Sequence, residues 1–184
     1  MKWEDDVKQG LILVDIQNDY FPGGKMELVN MEKAAENARR LLQRFRSDGE
    51  PVFHIQHIAA RPGATFFLPN TTGAETHALV KPEAGEVLIQ KHFPNSFRDT
   101  TLLGEIHKHD IDTLVICGAM SHMCIDATTR AAFDLGFTCI VVEDACTTRD
   151  LVFNGKTVEA SQVHGSFMAA LSGTYAEVMK TDDV

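Results

Sequence analysis

The sequence predicts an α/β protein, a parallel sheet with helices on both faces. Three observations carry this reading. Apolar runs of strand length recur along the 184 residues and alternate with stretches of helical period. The first run, GLILVDIQ from Gly10 to Gln17, stays apolar almost to its polar end, the pattern of a strand covered on both faces. Polar and reactive residues stand at the carboxyl ends of several runs, the edge where open α/β sheets bind ligands.

The elements follow in order. Asn18 to Asn30 is a loop with a Pro-Gly-Gly turn at Pro22 to Gly24. Met31 to Ser47 reads as a helix, because Ala34, Ala35, Ala38, Leu41, Leu42 and Phe45 recur at helical spacing. Pro51 to His57 is the second strand. Ile58 to Gly85 is long, irregular and rich in Gly, Pro and Thr, and loops of that length usually serve a function. Its Phe66-Phe67-Leu68 segment is expected to line a pocket, pack on another subunit or extend the core. Glu86 to Lys91 is the third strand, and Thr100 to His109 a helix. Thr113 to Gly136 holds the fourth strand, a sharp turn at Gly118 and a helix stopped by Gly136. Thr138 to Glu143 is the fifth strand, Lys156 to Leu171 a further helix and Tyr175 to Met179 the last strand. There is no repeat or interdomain linker, so residues 1–184 read as a single domain.

Hydrophobic residues make up 44% and charged residues 23%, an ordinary globular composition. The formal charge of −9 is spread along the chain, which argues against nucleic acid and anionic membrane surfaces as partners. The N-terminal MKWEDDVKQG is charged, and the run behind it is too short and acidic for a signal peptide or membrane span. Cys117, Cys124, Cys139 and Cys146 show no C-x-x-C spacing, so reduced thiols in a cytoplasmic protein are expected.

Cys124 is the centre of the chemistry. With Ser121 read as the N-cap, Cys124 is the third helical residue, facing free N–H groups and the positive helix end. That setting favours thiolate. Asp15 and Lys91 end the first and third strands and share the same sheet edge. Together they form a nucleophile system: Cys124 attacks, Asp15 takes its proton and Lys91 holds the charges. The competing reading is an inert buried thiol beside a structural ion pair.

The chain resembles the isochorismatase-like cysteine hydrolases, a family that includes nicotinamidases and N-carbamoylsarcosine amidohydrolase. The resemblance rests on LILVDIQNDYFPGG, VLIQKHFPNSFRDTTL and VICGAMSHMCIDATTRAAFDLGFTCIVVEDAC, in that order. It implies a three-layer Rossmann-like sandwich whose six-stranded parallel sheet has the order 3-2-1-4-5-6. It places the catalytic residues at Asp15, Lys91 and Cys124. It also implies a cis peptide at Ala119–Met120 and an oxyanion hole made by the backbone N–H groups of Met120 and Cys124. Such donors are typically worth about 3–4 kcal/mol each in acyl transfer.

The chain departs from the nicotinamidase pattern after the second strand. HIQHIAARPG has His57 where the metal-binding Asp should stand and Ala59 where a His should stand. No metal and no other cofactor is therefore expected, and nicotinamide is a poor candidate substrate. The expected activity is metal-independent hydrolysis of an amide or ureido C–N bond in a small molecule. Alternatives are isochorismatase-type cleavage of a vinyl ether, and a non-catalytic or redox-sensing role for Cys124 or Cys146. Phe21, Phe66, Phe67, His92, Phe93 and Phe97 are the candidate pocket residues. A homo-oligomer, dimer or tetramer, is expected from the resemblance and from the Phe66-Phe67-Leu68 segment.

Overall fold

A computed structural model describes residues 7–184. The charged segment before Val7 lies outside the described residues. Six parallel strands form the sheet: β1 (Gln9–Val14), β2 (Val52–His57), β3 (Val87–Lys91), β4 (Thr113–Ala119), β5 (Thr138–Thr147) and β8 (Glu177–Met179). Their order is β3-β2-β1-β4-β5-β8. The intervening β6 (Leu151–Phe153) and β7 (Lys156–Val158) form a separate antiparallel hairpin. The spatial order is the expected one, with the sixth sheet strand numbered eight.

The flanking helices are α1 (Met31–Asp48), α2 (Leu102–His107), α3 (Asp126–Asp134) and α4 (Ala160–Leu171). The buried face of α1 is Met31, Ala34, Ala35, Ala38, Leu41, Leu42 and Phe45, and it covers β1, β2, β4 and β5. Gly49, in the left-handed region at φ 72°, ends the helix. The expected helix from Lys156 starts four residues later, because Asn154 and Gly155 turn the chain into the hairpin. Among the described residues no helix is long and apolar enough to cross a membrane.

The sheet places the chemistry. Connections from β1 run outward through β2 to β3, and those from β4 run the other way, so a crevice opens where β1 meets β4. Leu11 to Val14 are buried on both faces, as a central strand requires. Gly118, at φ +122°, sits at an irregularity in the β4–β5 register. A Cβ there would lie 2.0 Å from the Val14 carbonyl oxygen. Gly118→Ala is therefore expected to cost at least about 3 kcal/mol in denaturant unfolding, from backbone strain plus overpacking. A loss under about 1 kcal/mol would contradict this close approach.

Candidate active site

Asp15, His57 and Lys91 stand at the carboxyl ends of the adjacent strands β1, β2 and β3. His57 and Lys91 are register partners, and β2 lies between β1 and β3. The Lys91 side chain therefore crosses beneath His57 to reach Asp15. Its Nζ donates to Asp15 Oδ2 at 2.7 Å, to His57 Nδ1 at 3.2 Å and to the Phe93 carbonyl at 3.2 Å. An ammonium has three donors, so all three are engaged. The Asp15 and Lys91 side chains are fully buried. Burial pulls the Lys91 pKa down, but Asp15 and Cys124 outweigh it and leave it raised. Asp15 Oδ1 is buried with no hydrogen-bond partner.

Cys124 completes the cluster. Its Sγ, a carboxylate oxygen of Asp15 and a ring nitrogen of His57 lie within 4.8 Å of one another. Three such ligand types could hold a cation. Here the Lys91 ammonium already sits against both Asp15 and His57, so a positive charge fills that space. The Ala119–Met120 peptide is cis.

The local setting of Cys124 differs from the sequence reading in two ways. Ser121 to Ile125 is a single wide π-turn ahead of α3, and Ser121 does not cap it. The Ser121 hydroxyl instead pairs with His164 Nδ1 at 2.8 Å. Cys124 is also not poised as a thiolate: burial, then the neighbouring Asp15 carboxylate, push its pKa well up, against the opposing pull of Lys91. The resting group is a thiol next to a base. The fifth strand runs past its expected end at Glu143, so Cys146 lies inside β5 opposite Gly118, and burial pushes its thiol up to about 12.

A cavity of about 480 Å³ opens over Cys124. Phe66, Phe67, His92 and Phe93 line it, joined by Tyr20, His57 and Met120. Two expected pocket residues lie elsewhere. Phe21 stacks on His77 at 3.6 Å between centroids, and Phe97 stacks on Phe137 at 6.4 Å. Both rings found aromatic partners away from the cavity. The Phe66–Phe67 wall is held by Asp19, whose Oδ2 accepts from the Phe67 N–H at 2.6 Å. Gln17 clamps the end of β2, donating to the His57 carbonyl at 2.9 Å and accepting from the His57 N–H at 2.8 Å.

Sequence reasoning missed His57, Tyr20, Gln17 and Asp19. The signal for His57 was available: in the order 3-2-1, the end of the second strand must fall between those of the first and third.

His57 is neutral, its pKa lowered to about 4 by burial, with Asp15 opposing and Lys91 adding. Its Nδ1 accepts from Lys91, so its proton resides on Nε2. The sign follows. A histidine whose folded pKa is depressed stabilises the fold fully above its unfolded pKa of about 6.5, and that contribution fades as pH falls toward 4. By NMR the His57 imidazole is expected to titrate near pH 4. A midpoint near 6.5 would contradict the burial of the imidazole, the largest cause of the shift.

Comparison with known proteins gives the family. Residues 9–183 match the isochorismatase domain family. The chain belongs to the isochorismatase family. It is 55% identical over 172 residues to the isochorismatase family protein YddQ of Bacillus subtilis, spanning 94% of this chain and 96% of that one. The crystal structure of a protein from Oleispira antarctica assigned to the isochorismatase hydrolases superposes with a TM-score of 0.93 at 50% identity, covering 100% of this chain and 97% of the other. The nicotinamidase of Escherichia coli K12 is 27% identical over 175 residues, covering 75% of this chain and 82% of its own. The chain is thus an isochorismatase-family hydrolase fold with an Asp-Lys-Cys cluster at its ligand edge.

Proposed function

We propose that this isochorismatase-family protein is a metal-independent cysteine hydrolase. It cleaves an amide or ureido C–N bond of a small molecule through an acyl-enzyme on Cys124. One observation carries the reading: a buried thiol lies beside a carboxylate that has one oxygen fixed by an ammonium and the other unpartnered. That free oxygen, Asp15 Oδ1, is the proton acceptor. As Cys124 Sγ bonds to the substrate carbonyl carbon, its proton passes to Asp15. The carbonyl oxygen becomes an oxyanion, held by the N–H groups of Met120 and Cys124. Collapse breaks the C–N bond, and the proton on Asp15 goes to the leaving nitrogen. Water then attacks the thioester, Asp15 takes its proton, and the C–S bond breaks to return the thiol. Lys91 stays an ammonium throughout and holds Asp15 Oδ2 in place between steps.

A thiol next to its base suits acyl transfer better than vinyl-ether cleavage, which needs an acid and no nucleophile. The amide-cleaving relative points the same way. The test is to offer small amides and ureido compounds and to assay amine or ammonia release. Turnover of isochorismate alone, undiminished in a Cys124→Ala variant, would overturn the reading. Four free cysteines suit a reducing compartment such as the cytoplasm.

We also propose self-association as a dimer or tetramer. The Phe66–Phe67 segment is used within the chain as cavity wall, so it no longer supports this. The β6–β7 hairpin does, because Val152 and Phe153 are each 73% exposed. Sedimentation of the wild type against Phe153→Asp is the check, and a monomeric wild type would end the idea.

A further inference from the structure

Cys124 sits on the wide turn Ser121–Ile125, whose own bonds hold it weakly. The Met123 and Ile125 N–H groups both donate to the Met120 carbonyl, at 3.0 and 3.2 Å. No side chain caps the start of the turn. Turns of this width are rare and short, so their neighbours fix where they lie. Two side chains supply the outside ties. His122 Nδ1 pairs with the Thr148 hydroxyl at 2.6 Å. The Ser121 hydroxyl pairs at 2.8 Å with Nδ1 of His164, which stands on α4. Ser121 is fully buried and directly follows Met120.

His164 reaches the turn from behind. It lines a second cavity of about 230 Å³ with Glu143, Cys146 and Thr148, and this cavity shares no lining residue with the one over Cys124. His164 therefore does not touch a substrate held over Cys124. Its helix is anchored at the start, where the Ala160 N–H donates to Asp150 Oδ1 at 2.7 Å. Among the described residues, Ser121 is the one hydrogen-bond partner of this imidazole.

We propose that His164 is a positioning residue: through Ser121 it fixes the turn that presents the Cys124 thiol, and the backbone N–H groups of Met120 and Cys124, to the substrate carbonyl. This deepens the amidohydrolase reading and rests on it. Ser121 lies between the two backbone donors in the chain. A slip at Ser121 shifts those donors against the carbonyl oxygen and moves the thiol against Asp15. A misplacement of about 1 Å, caused by a mutation away from the chemistry, costs about 100-fold in rate. The competing reading is that the pair only satisfies a buried hydroxyl, so that its loss lowers stability and leaves the rate alone.

Three substitutions separate the readings. His164→Asn places an amide close to where Nδ1 stood and can keep the bond, His164→Leu fills the space without it, and Ser121→Ala removes the other partner. Amide turnover is measured well below the melting temperature of every variant. His164→Leu and Ser121→Ala are each expected to lower kcat by about 10- to 100-fold with KM within about threefold, and His164→Asn to recover most of kcat. Combining His164→Leu with Ser121→Ala is expected to be no worse than either alone, because the same bond is lost once. Hydrogen exchange reads the turn without turnover. The Met123 and Ile125 amides are expected to exchange about tenfold faster or more in His164→Leu, and at close to the wild-type rate in His164→Asn. A kcat within about twofold of the wild type in His164→Leu, a loss that His164→Asn fails to recover, or unchanged exchange in the turn would each overturn the proposal. A turn loosened in His164→Leu and restored in His164→Asn, in a protein that cleaves no amide, would instead count against the amidohydrolase reading and leave the His164 tether standing.

Discussion

Cys124→Ala is expected to lower turnover of the best amide substrate by roughly 10⁴-fold or more, while leaving its binding within a few-fold of the wild type. The thiol supplies the only atom that bonds to the substrate in this mechanism, whereas the cavity walls and backbone donors survive the substitution. Cys124→Ser is expected to remain severely impaired. The base is a carboxylate whose companion oxygen is tied to Lys91, a weaker match for an alcohol than for a thiol. Steady-state kinetics and calorimetry check both. Alanine-variant turnover within tenfold of the wild type would mean that another group does the chemistry.

Lys91→Met is expected to damage stability and activity together. It removes the cation from a fully buried ion pair and leaves Asp15 with neither oxygen satisfied. Breaking one side of such a pair typically costs about 3–5 kcal/mol. Methionine nearly matches the volume, so the effect reads charge rather than packing. One further outcome identifies the cause. Adding Asp15→Asn is expected to restore much of the lost stability, since no uncompensated charge remains. Turnover stays low in the double variant, because an amide cannot accept the thiol proton. A stability loss under about 1 kcal/mol with activity within tenfold would show the ion pair to be incidental.

Much of this was legible in the chain, for physical reasons that differ by element. The GLILVDIQ run could only be a strand covered on both sides, and the alanine and leucine spacing of α1 fixed its buried face. Once those strands are parallel, residues at their carboxyl ends must share one edge, so Asp15, Lys91 and Cys124 were found from sequence position. Side-chain partners were not legible in this way. Ser121 looked like a cap, but a longer-range bond to His164 takes its hydroxyl. Cys124 looked like a thiolate at a helix start, but burial and Asp15 outweigh the helix end. Phe21 and Phe97 looked like pocket residues, and only the fold shows the rings they stack on. The hairpin is a different case. Asn154-Gly155 between two short strand-forming runs is a strong hairpin signal in its own right, and starting the helix at Lys156 passes over it.

The central claim is a covalent acyl-enzyme, and partitioning of that intermediate tests it most directly. A series of amides sharing one acyl group but differing in leaving amine is turned over in the presence of hydroxylamine, and the ratio of hydroxamate to acid is measured. A thioester on Cys124 no longer contains the amine, so the ratio is predicted to be the same for every member of the series. A ratio that changes with the leaving amine would contradict the account.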